Sequence, residues 1–431
     1  METLNLSDIA AQYLSQGLDL LQKKEYTDAI NLFDKVIQIL PEDPAGYLAR
    51  SIAVCETAPL HVGLRHITVL KNKYPHYQPA QQLFQSLVNE TKSQRPGYLT
   101  ATDYVKRNPS KGYLVSAPWI STPGLHHSDQ QTNIAIVKNV SVQGPEALLI
   151  VDQFTKLAES TSDLNIEEAW LPVLERDSFD SERHTRAGDW AVISGLWSTA
   201  FYHWMLEWLP KVLILEKAGF TGTYVIPKGS KFIVQSLELL GIPLERTMIA
   251  SDQDWIAERL WITPSIPAGM MTEYHPLFRE LRSRLLQTVE SSTQAPRQRI
   301  YLSRRLPNRP RRVINEDALM ECLSKYGFES FCFDDMDLQQ QIEIFSQAEA
   351  VVAPHGAGIL HTLFAHEHAL VLEMFSRIYV NPVGLNIAQL LNHRYYMMPA
   401  YNPGNFNTHG EDIEAFIPAI ELTVKRELCI P

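Results

Sequence analysis

Apolar residues recur at helical spacing through the first ninety positions, and the pattern repeats itself. Residues 10–43 align with 44–77 at an offset of 34 residues: Tyr13 with Tyr47, Leu20 with Val54, Ala29 with Gly63, Phe33 with Ile67, Val36 with Leu70 and Pro41 with Pro75. Gly17 and Ser51, both small, also match. The spacing predicts two helical hairpins, with an amphipathic helix from Gln78 to Glu90 covering the last exposed apolar face. Arg95-Pro96-Gly97 marks a boundary, and beyond it the period changes. Short apolar runs of strand length follow at Asn133 to Val137, Ala147 to Val151, Trp190 to Ser194, Tyr224 to Pro227 and Arg259 to Thr263. Further strands are predicted at Arg299 to Ser303, at Val351 to Ala353 and at Ala369 to Phe375. Helical stretches lie between them: Phe232 to Leu240, stopped by Gly241; an acidic opening at Asn315-Glu316-Asp317 running to Lys325 and closed by Gly327; and Leu338 to Ala348. Alternating short strands and helices from 201 to 400 predict α/β sheets with helices on their faces. Thr288 to Pro296, polar and ending in proline, is a candidate link between two such units.

Three blocks carry candidate chemistry. In VVAPHGAGILHTLF (351–364) an apolar run ends at Pro354 and opens into His355-Gly356-Ala357-Gly358 before an apolar helical segment. A glycine turn at the carboxyl end of a strand lets backbone N–H groups approach an anion, and the helix start behind it favours negative charge. A tight turn around a buried histidine is the plainer alternative. Upstream, RQRIYLSRRLPNRPRR (297–312) holds seven arginines and no acid. Guanidinium forks suit a ligand with several negative oxygens, such as a diphosphate. A solvated basic loop or a nucleic-acid patch would look alike. The net charge of −11 and the lack of interleaved aromatics after Tyr301 count against nucleic acid. The third block is FYHWMLEWLP (201–210). On a helix, His203 and Glu207 are one turn apart in apolar surroundings, where a titratable pair is costly unless it is paired or functional. The pair could also simply satisfy itself in the core. Two other clusters are set aside: His126-His127-Ser128-Asp129 reads as a solvated turn, and Asp334-Asp335-x-Asp337 as the cap and first turn of the next helix rather than a metal-binding pair.

Length and composition limit the possibilities further. A chain of 431 residues, 45% hydrophobic and 20% charged, has room for two to three domains with sizeable cores. Its four cysteines (Cys55, Cys322, Cys332, Cys429) show no CxxC spacing, so neither a zinc site nor a disulfide framework is expected. No apolar run reaches membrane-spanning length, and METLNLSDIAAQYL has no basic n-region, so neither a transmembrane segment nor a signal peptide is expected. A reducing cytoplasm is the expected compartment, with peripheral membrane association as a variant. Neither a Walker-type Gly-Lys-Ser/Thr loop nor a dinucleotide-type glycine fingerprint is present, which disfavours phosphotransferases and sugar epimerases.

The 34-residue period resembles tetratricopeptide repeats, whose role would be to bind a protein partner or to brace a neighbour. In the rest of the chain, YHWMLEWLP, then YLSRR with Asn315-Glu316 soon after, then PHGAGILHTLF and a strand holding Glu373, together resemble glycosyltransferase family 61, over roughly residues 110–400. That family includes bacterial proteins labelled capsular polysaccharide biosynthesis proteins, plant xylosyl- and arabinosyltransferases, and animal enzymes that add N-acetylglucosamine to protein hydroxyls. The resemblance implies an inverting enzyme of the two-lobed GT-B architecture, using a nucleotide-sugar donor, with uridine the expected base, and no obligatory metal. By the same resemblance Glu207 and His203 would be catalytic. Arg304, Arg305, His355, Gly356, Ala357, Gly358 and Glu373 would bind the donor. The family more often has Asp where Glu207 stands, and Leu-Thr-Asn where this chain has Ile359-Leu360-His361-Thr362. The expected organisation is helical repeats over 1–94, an acceptor-side lobe over 98–287, a donor-binding lobe over 297–400, and a tail over 401–431 that packs back on the core. Glu207 is the expected base toward a hydroxyl of a glycan or other acceptor, oriented by His203. A non-catalytic scaffold with an inert transferase fold is the rival reading.

Overall fold

The structure, a computed structural model, describes residues 6–57, 66–67, 70–71, 73–94, 98–116, 133–145, 147–151, 155–157, 159, 184–195, 197–251, 253–266, 271, 275–289, 297–305, 311–333, 336–376, 380–401 and 412–429. The boundary Arg95-Pro96-Gly97, the His126–Asp129 cluster, Arg309, Asp334 and Asp335 lie outside them.

The N-terminal part is helical: Leu6–Gln22, Tyr26–Ile39, Pro44–Thr57 and Gln78–Gln94. The first two helices meet where Gly17 faces Phe33; a Cβ at 17 would lie 2.5 Å from Phe33 Cε1, so only glycine allows this approach. Several positions matched by the 34-residue offset share their burial: Phe33 and Ile67, Val36 and Leu70, and Gly17 and Ser51 are all buried, whereas Leu20 is half-buried and Val54 buried. Gly63 falls outside the described residues. Ala29, Phe33, Ala49 and Ala53 form one small apolar cluster and Ile67, Leu70, Ala80 and Leu87 another, both apart from the cores that follow.

The rest is mixed α/β, built on two sheets. The first contains β1 (Tyr98–Leu99), β2 (Gly112–Ser116), β3 (Asn133–Gln143), β4 (Leu148–Val151), β5 (Thr155–Leu157), β6 (Thr185–Val192), β7 (Thr223–Ile226), β8 (Thr247–Ile249) and β9 (Trp255–Ile262). Their spatial order is β1-β5-β4-β3-β9-β6-β7-β8, with β2 also on β3. From β9 to β8 the neighbours are parallel, whereas β3 meets β2, β4 and β9 antiparallel. The second sheet holds β10 (Gln298–Leu302), β11 (Phe328–Phe331), β12 (Ala348–Pro354), β13 (Leu370–Phe375) and β14 (Arg394–Pro399), all parallel, in the order β11-β10-β12-β13-β14.

Each sheet contains one reversal of strand order. The chain runs β6, β7, β8 outward and then returns to place β9 on the other side of β6. It repeats the manoeuvre when β12 joins β10 on the side opposite β11. At such a reversal the connections leave the carboxyl ends in opposite directions, and the crevice between them is where open α/β sheets bind ligands.

The central strands of the second sheet, β10, β12 and β13, are buried on both faces along most of their length. Ile300, Val351 and Val371 join one core, while their neighbours Tyr301, Val352 and Leu372 join another with Ile420 and Val424 of the C-terminal helix Ile417–Glu427. The first of these cores is shared between the sheets, since it also contains Ile134, Ala191, Trp204 and Leu213. Two local expectations change. The segment after the glycine turn is a 3-10 helix, Ala357–Phe364, and β6 begins earlier than the apolar run suggested. Asp337 is an N-cap, accepting from Gln340 N at 2.8 Å while Gln340 Oε1 accepts from Asp337 N at 3.1 Å.

Candidate active site

Both arginine and glycine turn leave the second sheet at its order reversal. β10 and β12 run side by side in parallel, Tyr301 opposite Val352, so the residues that follow each strand emerge together. Gly356 has an extended backbone, and a Cβ built on it would sit 2.0 Å from a terminal nitrogen of Arg304. The guanidinium therefore lies directly against the Gly356 backbone. Gly358 is similarly close-packed, since a Cβ there would come 2.5 Å from Leu302 Cδ2. A guanidinium beside a glycine turn that leads into a helix start can hold an anion from two sides.

Behind the turn stands a buried polar relay. His355 Nδ1 is 2.5 Å from Glu373 Oε1, and Glu373 Oε2 accepts from the Tyr395 hydroxyl at 2.6 Å. The His355 ring stacks on Phe375 at 4.7 Å. A side chain at Gly384 would collide with Glu373 Oε2, so that glycine makes room for the carboxylate. Glu373 has no exposed surface, and burial together with its carboxylate pushes the Tyr395 hydroxyl up. Glu373, expected at the donor, is hydrogen-bonded to both His355 and Tyr395. Arg305, also expected at the donor, extends to Glu316 at 3.2 Å and to Asp317, the acids of the first turn of the helix Glu316–Ser324.

His203 and Glu207 follow β6. The sequence spacing implied an ordinary helical turn, but the helix Phe201–His203 passes into a π-helical turn, Trp204–Trp208, before resuming as Leu209–Lys217. Pro210 supplies a cause: it has no N–H to offer the ladder, and the local bonding pattern widens around the gap. His203 Nδ1 lies 2.9 Å from Glu207 Oε2, with side-chain exposures of 25% and 12%. Trp204, wholly buried, anchors the turn by donating Nε1–H to Ser236 Oγ at 2.8 Å. Trp197, in the loop before, stacks on the His203 ring at 6.2 Å.

A third charged group, which the sequence reading did not single out, is Lys211. Its ammonium sits 4.0 Å over the Trp208 ring and 3.5 Å from the Glu159 carbonyl oxygen. The Glu159 carboxylate accepts the Ala101 N–H with both oxygens, at 2.9 and 3.0 Å. Lys211 and Glu159 line a cavity of about 10 Å³ with Val192, Trp261 and Thr263, beside the carboxyl ends of β6 and β9. Burial pushes Glu159 up to about 7 and Lys211 down to about 8, the latter opposed by Glu159 and Glu207. A lysine inside the apolar run LPKVLILE, four residues beyond Glu207, was the available signal.

The two halves of the site are joined by a stack. Phe201, two residues before His203, lies 4.9 Å from the His361 ring at an interplanar angle of 11°. His361 Nε2 donates to Gln341 Oε1 at 2.7 Å, and the Gln341 amide donates in turn to the Phe333 and Met336 carbonyls. Burial pushes His361 down to about 4, opposed by the Gly358 carbonyl oxygen 2.9 Å from Nδ1. This histidine stands in the stretch where the chain departs from its resemblance.

One strand-order reversal thus bears an arginine and a glycine turn, and the other a histidine–carboxylate pair. Residues 201–372, which hold His203, Glu207, Lys211, Arg304 and the turn 355–358, match the family model for Glycosyltransferase 61. A 106-residue stretch of the chain is 30% identical to the EGF domain-specific O-linked N-acetylglucosamine transferase of Drosophila melanogaster, covering 23% of this chain and 20% of that protein. The chain thus spans about a fifth of the length of that curated relative. Among the described residues, no helix is long and apolar enough to cross a membrane.

Proposed function

We propose that this protein is an inverting glycosyltransferase that moves a sugar from a nucleotide-diphosphate sugar, with uridine the expected base, to a hydroxyl of a glycan or other acceptor. The observation that carries the reading is the approach of Arg304 to Gly356 at the carboxyl ends of β10 and β12. The departing diphosphate gains negative charge as the anomeric C–O bond breaks, and a guanidinium with helix-start N–H groups stabilises it without a metal. On the other side of the sugar the acceptor oxygen forms the new bond and loses its proton to the His203–Glu207 pair. Because Glu207 engages Nδ1, the nitrogen left to take that proton is His203 Nε2, with Glu207 fixing the ring. This reverses the division of labour expected from sequence. The two sheets, each with its own reversal, support a GT-B-like arrangement. The paired burial of repeat positions supports tetratricopeptide-like helices that bind or brace a partner.

The test is a thermal-shift panel of nucleotides and nucleotide sugars, followed by release of free nucleotide diphosphate from any donor that binds. A nucleoside diphosphate and its sugar conjugate should raise the melting temperature, and acceptor should accelerate release equally with and without EDTA. Absence of any nucleotide-dependent shift would remove the transferase reading. Binding without turnover on any acceptor would favour the inert scaffold.

A further inference from the structure

Between β6 and the His203 helix lies a loop whose residues are treated very differently. Ser194 and Ser198 are buried, at 0% and 2% exposure, whereas Trp197 between them is 56% exposed. The loop is tightly bonded: Ser198 N donates to the Gly195 carbonyl (3.1 Å), Ala200 N to the Trp197 carbonyl (2.9 Å) and Gly195 N to Ser198 Oγ (3.2 Å). Trp197 itself has φ of +64°, a left-handed conformation that a bulky residue rarely adopts. Strain of this kind persists where the surroundings over-determine it, and it clusters at functional positions. The loop therefore holds a large apolar ring in solvent at a conformational cost, close to the buried Ser194 and Ser198. The same ring stacks on His203 at an interplanar angle of 26°.

We propose that Trp197 is a stacking platform for a pyranose ring of the acceptor, placing that sugar's hydroxyl beside His203. The inference rests on the transferase reading and adds a substrate class to it: an acceptor that presents a sugar ring, not a bare serine or threonine hydroxyl. Several axial C–H bonds give one face of a pyranose an apolar, weakly positive surface, which complements the negative π face of an indole. Acceptor rather than donor is indicated by position. Trp197 leaves the first sheet with the proton-accepting pair, whereas Arg304 and Gly356 leave the second.

Saturation-transfer NMR on the full chain with bound UDP tests this without turnover, using methyl β-glucopyranoside and methyl β-galactopyranoside as probes. Saturation should reach the axial C–H face of at least one glycoside in the wild type. It should be lost in Trp197→Leu, which keeps bulk without a π face, and restored in Trp197→Phe. In transfer assays with a glycan acceptor, Trp197→Leu should raise acceptor KM roughly 10-fold, with much less effect on kcat. Undiminished saturation in Trp197→Leu, or none for either glycoside in the wild type, overturns the proposal. Selective loss of saturation at the uridine protons would make Trp197 a donor contact and also overturn it. Failure of the transferase reading is separate, because it shows as an absence of any UDP signal.

Discussion

Glycine stands at position 356 because of the space above it, not because of its backbone angles, which any residue could adopt. The space is filled by Arg304, so the two positions are expected to fail together. Arg304→Ala should weaken nucleotide-diphosphate binding by roughly 10- to 150-fold, the worth of a charge-assisted fork, and Arg304→Lys should recover only part. Gly356→Ala should weaken it in the same direction by displacing the guanidinium. Calorimetric titration of UDP into each variant checks both, and unchanged affinity in Arg304→Ala would remove that residue from the site. The neighbouring pair invites a different measurement. If His203 takes the acceptor proton, His203→Ala should lose about 10²–10⁴-fold in turnover and be partly rescued by added imidazole. If Glu207 is the base, Glu207→Ala should instead be rescued by formate, and imidazole should do nothing for the histidine variant.

A π turn at Trp204–Trp208 sets Glu207 between His203 and Lys211 along one helical segment, and the deeper end of that segment is where pH should act on stability. Glu159 is raised by burial to about 7, so its contribution to stability is fully present below its unfolded value and is lost as pH rises through about 7. Lys211 is lowered to about 8, so its contribution is present at high pH and is lost as pH falls through about 8. Glu159→Gln should therefore flatten the decline in unfolding free energy between about pH 4.5 and 7, a change on the order of a few kcal/mol by urea denaturation. An unaltered slope would show that Glu159 titrates normally. Some of these elements could be read from the chain and some could not. The β12 strand and its glycine turn were legible because an apolar run, a proline and two glycines follow one another. The 3-10 character of Ala357–Phe364 was not, because the segment is buried almost all round and offers no polar face to set a period. There the Thr362 hydroxyl donates to Ile359 O at 2.7 Å, and His361 Nδ1 lies 2.9 Å from Gly358 O, both three residues back. Nor could Glu159 have been found, since its N–H partner is Ala101, 58 residues away.

At the scale of the molecule, the apolar clusters of the N-terminal helices are separate from the cores of the sheets. Deleting residues 1–92 should leave a cooperatively folding remainder that still binds UDP; insoluble protein, or loss of the thermal transition, would show that the helices belong to the catalytic fold. The helical character of the N-terminal part was legible because apolar residues recur there at helical spacing. The placement of the two chemical halves was not, because it depends on strand order, which only the tertiary structure reveals. The sheets, by contrast, are not separable. Their shared core and the Phe201–His361 stack bind the helix that carries His203 to the segment after the glycine turn. On the proposed function, donor and acceptor preferences should consequently not be recombinable by exchanging one sheet for that of a relative. A grafted second sheet would bring whatever residue its own family member keeps at position 361, and Phe201 would face a surface it was not shaped for. If the proposed transfer holds, changes of sugar preference should then arise from substitutions in the loops, made one at a time, and not from wholesale exchange of halves.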